Sequence, residues 1–251
     1  MIALFTDFGV GDPYVGQLHA VLAKQAPGVP RIDLFHGVPN FDIQAAAYLL
    51  PAYAHVFSTG TVFLCVIDPG VGTARRPLML EIDGCWYVGP DNGLFQILVR
   101  RARSCHGYVI EWEPAGLSAS FHGRDLFAPV AAMLARGERP AGERTELTPP
   151  PGPAWPEDLA KIVYIDHYGN AVTGVRAVRL SGDDLLRVND REIAYARVFA
   201  EAPTDQPFWY QNANGLAEIA FNQDRADKLL RLAVGSSIEI LPTGVVRPPQ
   251  V

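Results

Sequence analysis

The chain has 251 residues, 49% of them hydrophobic and 19% charged, a composition typical of a globular protein that buries a sizeable core. Its formal net charge of −6 and its lack of a basic run argue against a nucleic-acid partner and against adhesion to an anionic membrane. The sequence has no secretory signal pattern, no apolar run of spanning length and no CxxC pair, so we expect a cytoplasmic protein with free thiols and no zinc site.

Strand-like and helix-like patterns alternate along the first 135 residues. This alternation predicts a layered α/β domain with a mainly parallel sheet. Two aspartates, Asp12 and Asp42, stand where N-caps of the first two helices are expected. The predicted strands lie at 2–5, 31–35, 61–67, 78–82, 86–88 and 108–112, and the predicted helices at 13–25, 43–54, 92–101 and 125–135.

A composition break separates this domain from the rest of the chain. Residues 137–156 are rich in proline, glycine and charge and show no periodicity, which predicts a linker. We place the linker at 141–158, between domains at 1–140 and 159–251. The second domain contains short β-like patterns and one helical turn, which predict a small antiparallel β-barrel or sandwich. Its predicted strands lie at 161–165, 171–175, 185–188, 191–196, 216–221 and 237–241.

The most informative stretch is TVFLCVIDPGVGTARR, residues 61–76. An apolar strand ends at Asp68, and a turn with Pro69 and two glycines follows at once, before Arg75 and Arg76. Open α/β sheets build ligand sites from acids at strand ends, beside glycines that let a ligand approach the backbone. A carboxylate and a cation placed in this way can act on one small molecule. A structural turn with a surface ion pair is the alternative interpretation.

Two shorter motifs add candidate reactive groups. Asp7, in TDFG after the first strand, can accept two hydrogen bonds from a vicinal diol, although an Asx-turn or helix cap explains the same position. His122, in SFHGRD before the fourth helix, has a glycine, a cation and an anion beside it. That setting favours titration near neutral pH or a polarised water. Arg124 and Asp125 are expected to orient the loop.

Two further turns have a structural explanation of comparable weight. PDNGL, around Asn92, is typical of a strand exit followed by a helix cap. DHYGN, around Asp166, Tyr168 and Asn170, combines an acid, an aromatic face and an amide, which suit a purine or an amino-acid head group. A β-turn with Asn and Gly produces the same composition.

Taken in order, TDFG, DPGVGTARR, PDNGL, SFHGRD and DHYGN resemble the S-adenosyl-L-methionine hydroxide adenosyltransferases, relatives of the fluorinating and chlorinating enzymes. The resemblance covers nearly the whole chain. It implies a three-layer α/β domain joined to a C-terminal β-barrel, in trimers with sites between the first domain of one subunit and the second domain of its neighbour. It also implies conversion of S-adenosyl-L-methionine and water into adenosine and L-methionine, with no cofactor.

The resemblance also assigns roles to single positions. Asp68, Arg75 and His122 match the set that handles the water. The substrate-binding matches are Asp7 for the ribose diol, Phe41 for stacking, Phe121 near the reacting carbon, and Asp166, Tyr168 and Asn170 for the methionine amine or the adenine. Whether Asp68 or His122 is the general base is not determined by the sequence.

Several positions depart from the family pattern. Tyr168 replaces a phenylalanine and keeps the stacking face, whereas Gly174 replaces an amide. Small residues of the second domain are replaced by Ala213-Asn214 and Gln223-Asp224-Arg225, where substrate contacts are expected. A protein that binds S-adenosyl-L-methionine or adenosine without turnover is therefore an alternative, as is an adenosyl transferase with another nucleophile.

The halogenating relatives carry Tyr, Tyr and Ser where this chain has Asp68, His122 and Gly123. The resemblance therefore argues against a halide nucleophile.

Overall fold

The computed structural model describes residues 1–149 and 152–243, and the chain divides into two units, Met1–Ala154 and Trp155–Val251. The segment predicted as a linker contributes a strand, Gly142–Thr145, to the sheet of the first unit. Residues 150 and 151 of that predicted linker, and the end of the predicted second domain beyond 243, lie outside the described residues.

A seven-stranded sheet forms the centre of the first unit, in the order β2-β1-β3-β5-β4-β6-β7. Its strands are β1 Ile2–Thr6, β2 Arg31–Phe35, β3 Val62–Val66, β4 Pro77–Ile82, β5 Cys85–Pro90, β6 Cys105–Ile110 and β7 Gly142–Thr145.

The sheet is mixed, so the prediction of a mainly parallel sheet is wrong. The pairs β1·β2, β1·β3 and β3·β5 are parallel, whereas β4·β5, β4·β6 and β6·β7 are antiparallel. The physical reason is the two-residue turn at Asp83-Gly84, which joins β4 to β5. A two-residue turn can join only antiparallel strands, and β4 then lies between β5 and β6 with both neighbours running against it.

Helices cover both faces of this sheet. On one face, Ile2 and Leu4 of β1 pack with Leu18 and Leu22 of the first helix. Phe5 points to the other face and meets the ring of Phe35, which in turn meets Tyr53 of the second helix. The helices are α1 Pro13–Gln25, α2 Ile43–Ala54, α3 Gln96–Arg101 and α4 Ala128–Ala135, with a π-helical turn at Gly123–Phe127 before α4.

The second unit contains another seven-stranded sheet, in the order β14-β10-β11-β12-β13-β9-β8, and a short helix α5 Ala226–Leu229. Its pairs are antiparallel except β11·β12, which is parallel and corrects the prediction of a purely antiparallel sheet. The strands are β8 Leu159–Ile165, β9 Ala171–Arg176, β10 Leu185–Val188, β11 Arg191–Tyr195, β12 Pro207–Gln211, β13 Leu216–Phe221 and β14 Glu239–Leu241.

Backbone bonds connect the two edges of this second sheet. Ile162 N–H donates to Ser236 O, and Ile238 N–H donates to Ala160 O, both at 2.9 Å. These bonds join β8 to the chain just before β14, so the sheet curls around a core that includes Trp209. Within the described part of the chain, no helix is both long and apolar enough to cross a bilayer.

Candidate active site

The buried strand β3 delivers Asp68 to the edge of the first sheet. The following turn is closed by Val71 N–H to Asp68 O at 3.2 Å and by Thr73 N–H to Gly70 O at 3.1 Å. Gly72 has φ of +78°, and a Cβ there would lie 2.7 Å from a backbone oxygen, so only glycine fits. The turn reverses the chain, which brings the next side chains back towards Asp68.

Arg75 returns to Asp68 and forms a buried bidentate ion pair. Its Nε lies 3.0 Å from Oδ1 and 3.1 Å from Oδ2, and its Nη2 lies 2.5 Å from Oδ2. The two side chains are 8% and 5% exposed. A buried pair with such geometry fixes both groups, since breaking it would leave an uncompensated charge out of water.

His122, which lies 47 residues after Arg75 in the chain, completes this cluster. Its Nδ1 lies 2.8 Å from Nη2 of Arg75. A guanidinium can only donate hydrogen bonds, so Nδ1 accepts and the neutral imidazole carries its proton on Nε2. Burial, and then the charge of Arg75, lower the pKa of His122. The ring is therefore neutral at pH 7, and Asp68, Arg75 and His122 form one connected group.

A π-helical turn sets the position of His122. The turn Gly123–Phe127 begins directly after it, and π-turns of this kind occur frequently at functional sites. A Cβ on Gly123 would lie 3.3 Å from both Phe121 and Val66 of β3. The missing side chain lets the turn approach β3, and this approach places His122 beside the end of that strand.

Aromatic rings pack around Phe121, the residue directly before His122. The ring of Phe121 meets those of Phe8 at 5.8 Å and Tyr14 at 5.5 Å between centroids, and Arg124 stacks on it at 5.1 Å. Arg124 also binds Asp125, with Nε to Oδ1 at 2.6 Å. Arg124 and Asp125 therefore hold the loop, as their sequence context indicates.

Asp7 leaves the same edge of the sheet as Asp68. Strands β1 and β3 are parallel neighbours in which Thr6 pairs with Val66, so the residues that follow each strand lie side by side. Burial raises the pKa of Asp7, and the negative charge of Asp68 adds to this effect. Phe41 N–H donates to Asp7 Oδ2 at 3.1 Å, which places the predicted stacking residue beside the predicted ribose ligand.

The second arginine of the motif, Arg76, belongs to a separate cluster. It binds the buried Asp91, with Nε to Oδ2 at 2.8 Å, and Thr145, with Nη1 to Oγ1 at 2.7 Å. Asn92 is also structural, because its Nδ2 donates to Ile67 O at 2.8 Å and fixes the end of β3. Of the two arginines, only Arg75 reaches the candidate site.

The second unit brings Asp166, Tyr168 and Asn170 together. Asn170 N–H donates to Asp166 Oδ1 at 2.8 Å, and its Nδ2 donates to Oδ2 at 3.1 Å. Tyr168 is 74% exposed, and its ring meets that of His167 at 5.4 Å between centroids. These residues line a cavity of about 680 Å³ together with Phe199, Tyr210, Phe221, Gln223, Asp224 and Arg225.

Glu218 is a buried acid that sequence reasoning missed. Tyr210 donates its hydroxyl to Oε1 at 2.5 Å, Asn212 donates its Nδ2 to Oε2 at 2.8 Å, and Asn170 also bonds this carboxyl. Burial raises the pKa of Glu218. The sequence feature that could have indicated this buried acid is its place inside the apolar strand LAEIAF, since a charged residue buried there needs hydrogen-bond partners.

The chemistry of the first cluster follows from its parts. A carboxylate, a permanently charged guanidinium and a neutral imidazole, all at one strand edge, can orient a water molecule and remove its proton. No group of three or more His, Cys, Asp or Glu residues suited to a metal ion occurs among residues 1–149 and 152–243. The arrangement is chemically suited to acid–base activation of a small nucleophile.

Comparison with known proteins gives consistent matches over both units. Residues 2–143 match the SAM hydroxide adenosyltransferase N-terminal domain, and residues 160–239 match its C-terminal domain. A protein of Thermus thermophilus named (R)-S-adenosyl-L-methionine hydrolase is 36% identical, with 96% of this chain and 99% of that protein covered. A Salinispora arenicola protein of the same name is 37% identical, with 95% and 97% covered.

A solved structure agrees with these matches. An uncharacterised conserved protein of Thermotoga maritima superposes with a TM-score of 0.86 at 30% identity, covering 96% of this chain and all of that one. Fold, both domain matches and full-length identity therefore point the same way, and the chain belongs to the SAM hydroxide adenosyltransferase family.

Proposed function

We propose that this chain hydrolyses S-adenosyl-L-methionine to adenosine and L-methionine by attack of an activated water at the ribose C5′. Relatives that align with 95–96% of this chain, and over 97–99% of their own length, carry the name (R)-S-adenosyl-L-methionine hydrolase. The observation that carries the proposal is the buried cluster of Asp68, Arg75 and His122, in which one guanidinium contacts both other groups. That cluster supplies what water activation needs.

Counting lone pairs favours Asp68 as the proton acceptor. The single lone pair of His122 Nδ1 is occupied by Arg75, and the other ring nitrogen carries the proton. A carboxylate has about four acceptor sites, so the bonds from Arg75 leave Asp68 room for a water. In this arrangement His122 donates to the water oxygen and orients it, while Asp68 takes the proton.

The bond changes then balance without a general acid. Water gives one proton to Asp68 as its oxygen forms a bond to C5′, and the C5′–S bond breaks with its electron pair going to sulfur. The leaving group is the neutral thioether of methionine, which needs no proton. Asp68 afterwards releases the proton to solvent. Because hydroxide and sulfonium neutralise each other along this path, a site poor in water favours it.

The remaining predicted residues bind the substrate in this proposal. Asp7 accepts from the ribose diol, Phe41 stacks on the adenine, and Phe121 packs near the reacting carbon. In the second unit, Asp166, Tyr168 and Asn170 take the methionine amine or the adenine. We further propose that the curled second sheet is a β-barrel, and that trimers combine the first unit of one subunit with the second unit of its neighbour.

The relatives are named for the (R) form of the substrate, and we extend that preference to this chain. The two sulfonium epimers differ only in which side of sulfur carries the methyl group. Assays with each separated epimer would measure the preference as a ratio of kcat/KM values. A ratio near one would remove the epimer preference and leave the hydrolysis standing.

Incubation with S-adenosyl-L-methionine in ¹⁸O-labelled water tests the reaction itself. We expect adenosine with the label at its 5′ oxygen, together with L-methionine, both followed by chromatography with mass detection. Substrate retained on the protein without turnover would identify a binding protein. A different product on addition of halide or a small thiol would identify an adenosyl transferase with another nucleophile.

A further inference from the structure

Phe41 holds a backbone conformation that bulky side chains rarely adopt. Its φ is +64°, in the left-handed region where the Cβ crowds the backbone. Its ring is 70% exposed, so burial of the ring does not compensate for the strain. A strained residue of this kind persists only where its surroundings enforce the conformation, and such residues cluster at ligand sites.

The carboxylate of Asp7 bonds directly to the backbone of Phe41. Phe41 N–H donates to Asp7 Oδ2 at 3.1 Å. Directly after Phe41, Asp42 begins α2, and its side chain accepts from Ala45 N–H at 2.8 Å. Phe41 is therefore fixed on one side by Asp7 and on the other by the start of a helix.

The loop that carries Phe41 is joined to the loop that carries Asp7 by further bonds. Gly9 N–H donates to His36 O at 2.8 Å, and the Thr6 hydroxyl lies 2.7 Å from His36 Nδ1. Thr6 and Gly9 flank Asp7, and His36 lies between β2 and Phe41. Three hydrogen bonds therefore join the two loops, and the bond from Phe41 to Asp7 is one of them.

We propose that Asp7 is the positioning residue for the Phe41 ring in addition to its role as ribose ligand. The inference rests on the proposed function, in which Phe41 stacks on the adenine and Asp7 binds the diol. One carboxylate has enough acceptor sites for both the Phe41 N–H and the diol. Ring placement and diol recognition are thus coupled through one side chain. Loss of the carboxylate must therefore weaken the binding of a purine nucleoside that has no diol.

Calorimetric titration of the full chain with adenosine and with 2′,3′-dideoxyadenosine tests this coupling. If Asp7 only binds the diol, Asp7→Ala leaves the affinity for dideoxyadenosine unchanged. If Asp7 also positions Phe41, Asp7→Ala weakens dideoxyadenosine binding by roughly fivefold or more, the scale of a lost base–aromatic stack. Asp7→Asn keeps an oxygen that can accept the Phe41 N–H, so it should restore most of the dideoxyadenosine affinity.

Phe41→Gly provides the matched background. Glycine adopts positive φ without strain, so this variant removes the ring and leaves the loop able to fold. In that background, adding Asp7→Ala should cause no further loss of dideoxyadenosine affinity. Thermal unfolding of every variant identifies any that fails to fold. If Asp7→Ala does not fold, Asp7→Leu, which keeps the shape of the side chain but has no acceptor, takes its place in the same comparison.

Two results would overturn this inference and leave the proposed function standing. One is wild-type affinity for dideoxyadenosine in Asp7→Ala. The other is a loss of affinity on Asp7→Ala that is equally large in the Phe41→Gly background. Failure of the proposed function looks different, because the wild-type chain would then bind neither nucleoside and release no adenosine from S-adenosyl-L-methionine.

Discussion

Two neighbouring arginines, Arg75 and Arg76, show how much the surroundings of a residue decide its use. Each forms a close ion pair with a buried aspartate, Asp68 and Asp91 respectively. They differ in their further partners, which are the His122 imidazole for Arg75 and the hydroxyls of Thr145 and Thr148 for Arg76. The second pair is therefore a matched structural control for the first.

Asp68→Asn should abolish turnover while Asp91→Asn should not. Asp68→Asn leaves the buried guanidinium of Arg75 uncompensated, so this variant should lose stability, on the order of 3–5 kcal/mol at most. Arg76 is 36% exposed and can be hydrated, so Asp91→Asn should cost less. Only Asp68→Asn removes the proposed proton acceptor, which should reduce kcat by about 10²-fold or more. Steady-state rates and urea unfolding of both variants measure the two effects. Equal losses of kcat in two folded variants would contradict the assignment.

The pH dependence of turnover should follow from the neutral state of His122. Burial and Arg75 lower its pKa, so the neutral ring that Arg75 bonds persists below the ordinary imidazole value of about 6.5. We expect kcat/KM to stay level around pH 7 and to fall only in the more acidic range. His122→Asn, which keeps an acceptor and a donor, should be slower at every pH. A profile that falls already between pH 8 and 7 would contradict this view.

The same shift has a definite sign for stability. Because the folded pKa of His122 is lower than its unfolded value, the unfolded chain binds the proton more readily. The contribution to the free energy of unfolding is complete above the unfolded pKa and is lost as pH falls through the lowered folded pKa. Unfolding of His122→Asn across the same range provides the reference in which this contribution is missing.

At the scale of elements, the π-helical turn before α4 is the feature that positions His122. It begins at Gly123, where a Cβ would lie only 3.3 Å from Phe121 and from Val66. The sequence marked this stretch only as the start of a helix. A π-turn depends on what packs against it, which explains why periodicity did not reveal it.

Gly123→Ala should reduce turnover by moving this turn. The new methyl group must displace neighbours that lie 3.3 Å away, at a cost of about 1–3 kcal/mol. Gly16→Ala in α1 is the control, because a Cβ at Gly16 meets nothing within 4 Å and alanine favours the helix by about 1 kcal/mol. We expect slower turnover in the first variant and higher stability in the second, by activity assay and thermal unfolding. Full activity in Gly123→Ala would show that the turn tolerates displacement.

The helix starts illustrate how local signals succeed and fail. Asp42 was predicted as the N-cap of α2, and its bond from Ala45 N–H confirms that prediction. Asp12 stands at the N-cap of α1 as expected, but its side chain makes no capping bond, and Pro13 alone marks the start. Strand β12 was missed, since it starts at a proline and its two buried residues, Phe208 and Trp209, are adjacent instead of alternating with exposed ones.

At the scale of the whole molecule, the proposed substrate ligands are divided between the two units of the chain. Asp7, Phe41 and the water-activating cluster belong to Met1–Ala154, whereas Asp166, Tyr168 and Asn170 belong to Trp155–Val251. If each site combines two subunits, a defect in one unit can be complemented by a neighbour that carries a defect in the other unit.

Mixed oligomers test this division. Asp68→Ala and Asn170→Ala should each be inactive or strongly impaired alone. Co-expression and random assembly into a ring should restore about one quarter of the sites, those with both units intact. Activity of the purified mixture, with mass spectrometry to verify mixed composition, measures the recovery. A mixture as inactive as its parents, despite mixed assembly, would place the complete site within one chain.

The sequence by itself determined the features that depend on local order. The strand end at Asp68, the caps at Asp42 and Pro13 and the family resemblance all follow from short stretches of residues. Their physics is local, because a turn or a cap is formed by side chains a few positions apart.

Only the tertiary structure decided the rest. It gave Arg75 and Arg76 different partners, formed the antiparallel half of the first sheet and bound Asp7 to the strained Phe41. These outcomes depend on segments distant in sequence that meet through packing. A hydrogen bond across 34 or 47 residues leaves no trace in local periodicity.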